Sequence, residues 1–67
     1  MKVLVTGVAG QLGYDVMNEL RKRGHETIGT DIKENQETDF SYVCMDITNE
    51  TLVKDVIHQI LPQAIVH

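Results

Sequence analysis

Three glycines, Gly7, Gly10 and Gly13, lie between an apolar segment at residues 3–5 and a stretch with helical periodicity. This spacing suits a pyrophosphate. The first glycine can turn the chain out of a strand, the second lets the backbone approach the phosphates, and the third lets the helix pack close to the strand. The helix also presents unpaired amides and the positive end of its dipole. The pattern predicts a cradle for the phosphates of a dinucleotide.

An acidic residue, Asp31, follows the second apolar segment at residues 26–30. It lies roughly 20 residues beyond the glycines, where a carboxylate can accept hydrogen bonds from both ribose hydroxyls of an adenosine. The alternative is that Asp31 only opens a turn. A carboxylate here should repel a 2′-phosphate, which favours NAD(H) over NADP(H), although Lys33 would partly offset that repulsion.

A second aspartate, Asp46, ends the third predicted strand. We expect it at the same edge of the sheet as Gly10 and Asp31, where its side chain could reach an adenine amino group and the backbone of Ile47 could contact the ring. Capping or turn formation is an equally good interpretation, since aspartate is common before helices for local reasons.

These residues can meet only if strands and helices alternate along the chain. Right-handed crossovers then give a parallel sheet of order 3-2-1-4 with one helix on each face, and the reversal between strands one and four forms the ligand crevice. The fold class is therefore α/β, a partial Rossmann-type NAD(P)-binding fold. Strands are predicted at residues 3–5, 26–30, 42–45 and 64–67, and helices from the glycine loop to Gly24 and from Thr48 or Asn49 to about Leu61.

Apolar residues at helical spacing predict the buried face of the first helix, which includes Leu12, Val16 and Leu20. Cys44 lies in an apolar context and is expected to be a small buried hydrophobe. The polar stretch 33–39 is expected to be a surface loop.

A chain of 67 residues should bury only about 60% of its unfolded surface. A complete dinucleotide-binding sheet needs about six strands, more than can be placed here. We therefore expect residues 1–67 to be the amino-terminal part of a Rossmann dinucleotide-binding domain, with the catalytic and substrate-binding parts missing.

The net charge of −4 and the pI near 5.1 argue against binding to nucleic acid or acidic membranes. The sequence shows no signal peptide or spanning segment, so a cytoplasmic location is expected. The histidines lack the paired spacing of a metal site, and no nucleophilic triad is visible.

The glycine spacing resembles that of the extended short-chain dehydrogenase/reductases. Within that superfamily, the segment Gly10-Gln11-Leu12-Gly13 with residues 14–16 is similar to the dTDP-4-dehydrorhamnose reductases. Sugar-nucleotide epimerases usually carry an aromatic-Ile pair at these two central positions. Residues 45–49 and 64–67 are similar to the reductases too. The resemblance covers the whole chain and implies hydride transfer from a reduced nicotinamide to the 4-keto group of a dTDP-sugar in rhamnose biosynthesis.

The resemblance also implies which residues contact the cofactor, with two amides of the glycine loop near the pyrophosphate. Neither tyrosine of the chain is followed four residues later by lysine, so the catalytic YxxxK pair is absent and no catalytic residue is assigned. By matching positions, the implied cofactor site consists of Gly7, Gly10, Gln11, Leu12, Gly13, Asp31, Asp46 and Ile47.

Other interpretations remain open at this stage. The parent could be a different NAD-dependent sugar-nucleotide epimerase or reductase, or a regulatory subunit that binds the nucleotide without catalysis. Taken alone, the chain would expose apolar surface on its first helix and fourth strand, which would favour homo-oligomers.

Overall fold

The apolar segments form four parallel strands, and two amphipathic helices connect them. The computed structural model describes residues 1–33 and 40–67. The loop predicted at residues 33–39 therefore lies, beyond Lys33, outside the described residues. The elements are β1 (Lys2–Thr6), α1 (Gln11–Lys22), β2 (Glu26–Asp31), β3 (Ser41–Cys44), α2 (Glu50–Ile60) and β4 (Ala64–Val66).

The strands lie in the order β3-β2-β1-β4 with every neighbouring pair parallel, which confirms the predicted Rossmann-type topology. Alternation along β1 sends successive side chains to opposite faces of the sheet. Val3 and Val5 share a buried cluster with Met17 of α1. Leu4, between them, is buried outside that cluster and lines a cleft together with Val53 and Ile57 of α2. The two helices therefore cover opposite faces.

Residues at the helix ends determine where α1 stops and where α2 begins and stops. Gly24 follows α1 with a φ of +84°, the left-handed conformation predicted for it. Asn49 rather than Thr48 caps α2, because its side-chain oxygen accepts a hydrogen bond from the Leu52 amide at 3.1 Å. Leu61 closes α2 with a φ of 50°, directly before Pro62. The second helix therefore ends one residue earlier than predicted.

Two predictions of burial were wrong. Leu12 is 78% exposed, because it lies in the first turn of α1, which borders an open cleft rather than the core. Val16 and Leu20 do pack against the core as expected. Cys44 is exposed because β3 lies at the edge of the sheet formed by the described strands, where β2 is its one neighbour.

Gly29, in the middle of β2, has a packing role that the sequence did not reveal. A Cβ at this position would lie 2.7 Å from Cε1 of Phe40 and 2.9 Å from Cγ2 of Val8. These are closer than side-chain carbons approach in folded proteins. The absence of a side chain at Gly29 therefore lets Val8 and Phe40 cover this face of the sheet.

The second edge of the sheet is formed by β4, which pairs only with β1 among the described strands. Ile65 is 50% exposed and Val66 is 37% exposed. A short edge strand with apolar side chains offers unpaired backbone groups to a further strand.

Candidate functional site

Two of the three predicted glycines, Gly7 and Gly13, are required by the loop itself, each for a different reason. Gly7 has a φ of +69°, which side chains rarely tolerate, and it turns the chain out of β1. At Gly13 a Cβ would lie 2.3 Å from the carbonyl oxygen of Gly7, so α1 can start only because this residue lacks a side chain. At Gly10 a Cβ would lie 3.5 Å from the same oxygen, an ordinary contact. Nothing inside the loop therefore requires a glycine at position 10.

The amino terminus of α1 is open to a ligand. Its first helical hydrogen bond runs from the Tyr14 amide to the Gly10 carbonyl at 3.0 Å. The amides of Gln11, Leu12 and Gly13 precede that bond and have no helical partners. Gly10, as the residue that caps the helix, carries no side chain to bind them, and the first turn contains no acidic residue. The positive end of the helix dipole therefore faces outward at this loop.

Asp31 points its carboxylate at the glycine loop. Its Oδ2 accepts a hydrogen bond from the Ala9 amide at 2.9 Å, and its Oδ1 accepts one from the Ile32 amide at 2.7 Å. These two bonds fix the orientation of the carboxylate at the carboxyl end of β2. Because each carboxylate oxygen has two lone pairs, both can still accept a bond from a ligand hydroxyl.

Asp46 holds the turn between β3 and α2. Its Oδ1 accepts hydrogen bonds from the Thr48 amide at 2.9 Å and from the Thr48 hydroxyl at 2.7 Å. The Asn49 amide donates to the Asp46 carbonyl at 2.9 Å. Turn formation, one of the two interpretations of Asp46, is therefore present in the structure.

Two clefts adjoin at the carboxyl ends of β1 and β4, where the strand order reverses. One has a volume of about 260 Å³ and the other about 410 Å³, and Thr6, Gly7 and His67 line both. All the residues predicted for the cofactor site lie along these clefts. The smaller cleft is lined by Gly7, Asp31, Asp46 and Ile47, and the larger by Gly7, Gly10, Gln11, Leu12 and Gly13.

The whole chain, residues 1–67, matches the family described as RmlD substrate binding domain. The chain belongs to this family. Its relatives place it among the extended short-chain dehydrogenase/reductases, and it is 30% identical over an alignment of 95 residues to UDP-sulfoquinovose synthase from Sulfolobus acidocaldarius. That alignment covers 100% of this RmlD-family chain and 24% of the relative.

Solved structures of nucleotide-binding enzymes are also similar to this chain. WbmH from Bordetella bronchiseptica, in complex with NAD⁺, is 29% identical with a TM-score of 0.78, covering 98% of this chain and 24% of that one. UDP-glucose-4-epimerase from Stenotrophomonas maltophila, with bound NAD and formylated UDP-arabinopyranose, is 26% identical with a TM-score of 0.83. This match covers 97% of this chain and 23% of the epimerase chain. The RmlD-family chain therefore spans about a quarter of the length of these relatives.

Thr6 and His67 lie in the clefts of the RmlD-family chain without having been predicted there. The Thr6 hydroxyl lies 2.9 Å from Nδ1 of His67 and 3.4 Å from the Val66 carbonyl. These contacts tie the end of β1 to the end of β4. Their positions in the sequence could have revealed them, because Thr6 ends β1 and His67 follows β4, and these strands are neighbours across the reversal of strand order.

The hydrogen bonds from Thr48 lower the pKa of Asp46 below its ordinary value. A carboxyl group with a lowered pKa stabilises the folded chain above its unfolded pKa, and this contribution is lost as the pH falls through the folded pKa. Removing the hydroxyl by Thr48→Val is expected to raise the pKa of Asp46. The carboxyl ¹³C shift of Asp46 during an acid titration measures this change.

The matched control is Thr51→Val on α2, which is expected to leave the Asp46 titration unchanged. An identical Asp46 midpoint in the wild type and in Thr48→Val would show that the hydroxyl does not hold the carboxylate.

Residues 1–33 and 40–67 contain neither a candidate metal site nor a helix that could span a membrane. No group of three or more His, Cys, Asp or Glu side chains in this part of the chain could hold a metal ion. Neither α1 nor α2 is long and apolar enough to cross a membrane.

Proposed function

We propose that this chain binds NAD(H) along the two clefts, as the amino-terminal part of the Rossmann domain of a nucleotide-sugar reductase or epimerase. One observation carries the proposal most. The Asp31 carboxylate is held against the glycine loop, next to the uncapped amino terminus of α1. A carboxylate and an anion-binding helix terminus side by side match an adenosine ribose joined to a pyrophosphate.

The residues that line the two clefts can be matched to successive parts of the cofactor, from the pyrophosphate to the adenine. The amides of Gln11 and Leu12 would bind the pyrophosphate, and the missing side chain of Gly10 leaves room for it. Asp31 would accept hydrogen bonds from the ribose hydroxyls, and Asp46 and Ile47, which line the same cleft, would lie near the adenine. When bound, NAD(H) supplies the hydride chemistry, and these residues bind and orient it.

The charge of Asp31 supports NAD(H) over NADP(H). A 2′-phosphate would lie beside a carboxylate whose orientation is already fixed by the Ala9 and Ile32 amides. Repulsion between the two negative groups would weaken binding, and the nearby cation of Lys33 would reduce that effect only in part. The similarity to WbmH, whose structure contains NAD⁺, agrees with this preference.

For the substrate, we propose the 4-keto group of a dTDP-sugar, reduced as in dTDP-rhamnose biosynthesis. The family match and the Gln11-Leu12 pair support this assignment. A second candidate, epimerisation or another transformation of a UDP-sugar, is favoured by the similarity to UDP-sulfoquinovose synthase and UDP-glucose-4-epimerase.

Replacing Asp31 with asparagine tests the cofactor site. The substitution keeps the size of the side chain and removes its charge, so NADH is expected to bind about 10- to 100-fold more weakly as charge-assisted hydrogen bonds are lost. NADPH is expected to bind as well as before or more tightly, because the repulsion is relieved. Fluorescence titration of both cofactors gives the dissociation constants.

The matched control is Asp55→Asn, which removes an equal charge from the exposed face of α2, outside both clefts. It is expected to leave both dissociation constants unchanged. Equal NADH affinities for the wild type and Asp31→Asn would contradict the proposed cofactor site.

Product analysis separates the two substrate classes. The full-length protein is incubated with NADH and a dTDP-4-keto-6-deoxy sugar, and separately with NAD⁺ and UDP-glucose. A reduced dTDP-sugar would support the reductase, and an epimerised or oxidised UDP-sugar would support the second candidate. Turnover of neither, with cofactor binding intact, would favour a regulatory subunit that binds nucleotide without catalysis.

A further inference from the structure

The hydroxyl of Tyr42 on β3 reaches across to the backbone that follows β2. It lies 3.2 Å from the Asp31 carbonyl and also donates to the Lys33 carbonyl. Tyr42 pairs in register with Gly29, and its ring packs against the core. A half-buried side chain in the sheet therefore holds the chain on both sides of residue 32.

Two further donors from β3 and the residue after it hold the same segment. The Met45 amide donates to the Asp31 carbonyl at 2.8 Å. The Cys44 thiol lies 3.5 Å from the Ile32 carbonyl, within the range of a sulfur hydrogen bond. All three consecutive carbonyls from residue 31 to residue 33 are thus bound from one side, so this segment has little freedom to shift relative to the sheet.

The Tyr42 hydroxyl remains a donor across the physiological range. Burial raises the pKa of Tyr42, and the nearby Asp31 and Cys44 raise it further. A carbonyl can only accept, so only a protonated phenol can make these contacts. Loss of the hydroxyl would leave the Lys33 carbonyl without this donor.

We propose that Tyr42 is a positioning residue that sets the discrimination between a ribose 2′-hydroxyl and a 2′-phosphate. It acts by fixing the backbone from which Asp31 and Lys33 project, so that the carboxylate faces the ligand and the ammonium group does not move toward it. This inference rests on the proposed binding of NAD(H). Without the hydroxyl, the carboxylate is less well placed to bind the 2′-hydroxyl, and Lys33 is freer to approach a 2′-phosphate.

The substitution Tyr42→Phe removes only the hydroxyl and tests this directly. In the full chain, the ratio of the NADPH dissociation constant to the NADH dissociation constant is expected to fall about fivefold, the effect of losing one hydrogen bond. Tyr14→Phe is the matched control, because Tyr14 lies on α1 with its ring against Phe40. It is expected to leave the ratio unchanged.

The outcomes separate a positioning role from a structural one. A lower ratio in Tyr42→Phe with both cofactors still bound supports the proposal. An unchanged ratio, including one in which both affinities fall equally, overturns it and shows that the hydroxyl only stabilises the fold. Asp31→Asn, measured alongside, reports on the cofactor site itself: if it alters neither affinity, the proposed function fails independently of Tyr42.

Discussion

Gly13→Ala is expected to prevent stable folding of the chain. The added methyl would lie 2.3 Å from the oxygen and 2.7 Å from the carbon of the Gly7 carbonyl. Both atoms are backbone, so the clash can be relieved only by moving α1 away from β1. Overpacking of this kind costs about 3 kcal/mol, a large share of the stability of a 67-residue chain. Urea unfolding followed by circular dichroism measures the loss.

Gly10→Ala is the control for this experiment, because it adds the same methyl to the same loop where there is room for it. Its free energy of unfolding is expected to lie within about 1 kcal/mol of the wild type, the usual effect of a change at a helix cap. Wild-type stability in Gly13→Ala would mean that the helix and the loop are farther apart than the structure shows.

Gly10→Ala is also expected to produce a large loss of NADH binding in a chain that remains folded. Gly10 lines the larger cleft, and its missing side chain leaves space beside the α1 amides where the pyrophosphate would lie. A methyl group in that space forces the phosphates away from the amides, which is expected to weaken binding about tenfold or more. Fluorescence titration with NADH measures the change.

The result is informative because the two glycine substitutions should separate stability from binding. If Gly10→Ala binds NADH as tightly as the wild type, the pyrophosphate does not lie against this loop. Leu12→Ala, a truncation of an exposed side chain in the same turn, is expected to keep NADH binding, since only its amide is assigned to the phosphates.

The strand order and the roles of Gly7 and Gly13 could be predicted because each follows from a local rule. A strand, a helix and a parallel strand can be joined in one hand only, and a tight turn before a close helix requires glycine at defined positions. Asp31 could be placed at the carboxyl end of the sheet because it follows an apolar segment of the sequence. Its bond to the Ala9 amide could not, since that depends on the path of the loop.

The errors arose where burial depends on tertiary neighbours. Leu12 has the helical spacing of a core residue, yet it lies in the first turn of α1, which borders the larger cleft, and is exposed. Cys44 has apolar sequence neighbours but lies on an edge strand. Tyr42 beside Gly29 was missed for a related reason, because the pairing depends on the register between β2 and β3, which the sequence does not specify.

An amide correlation spectrum recorded while NADH is added would show whether the chain binds NADH along the two clefts, since it reports folding and the binding surface together. We expect a dispersed spectrum in which the peaks of Gly7, Gly10, Gln11 and Asp31 shift, while peaks from the exposed face of α2 stay in place. A dispersed spectrum in which none of these peaks moves, or in which the shifts fall away from the two clefts, would contradict it.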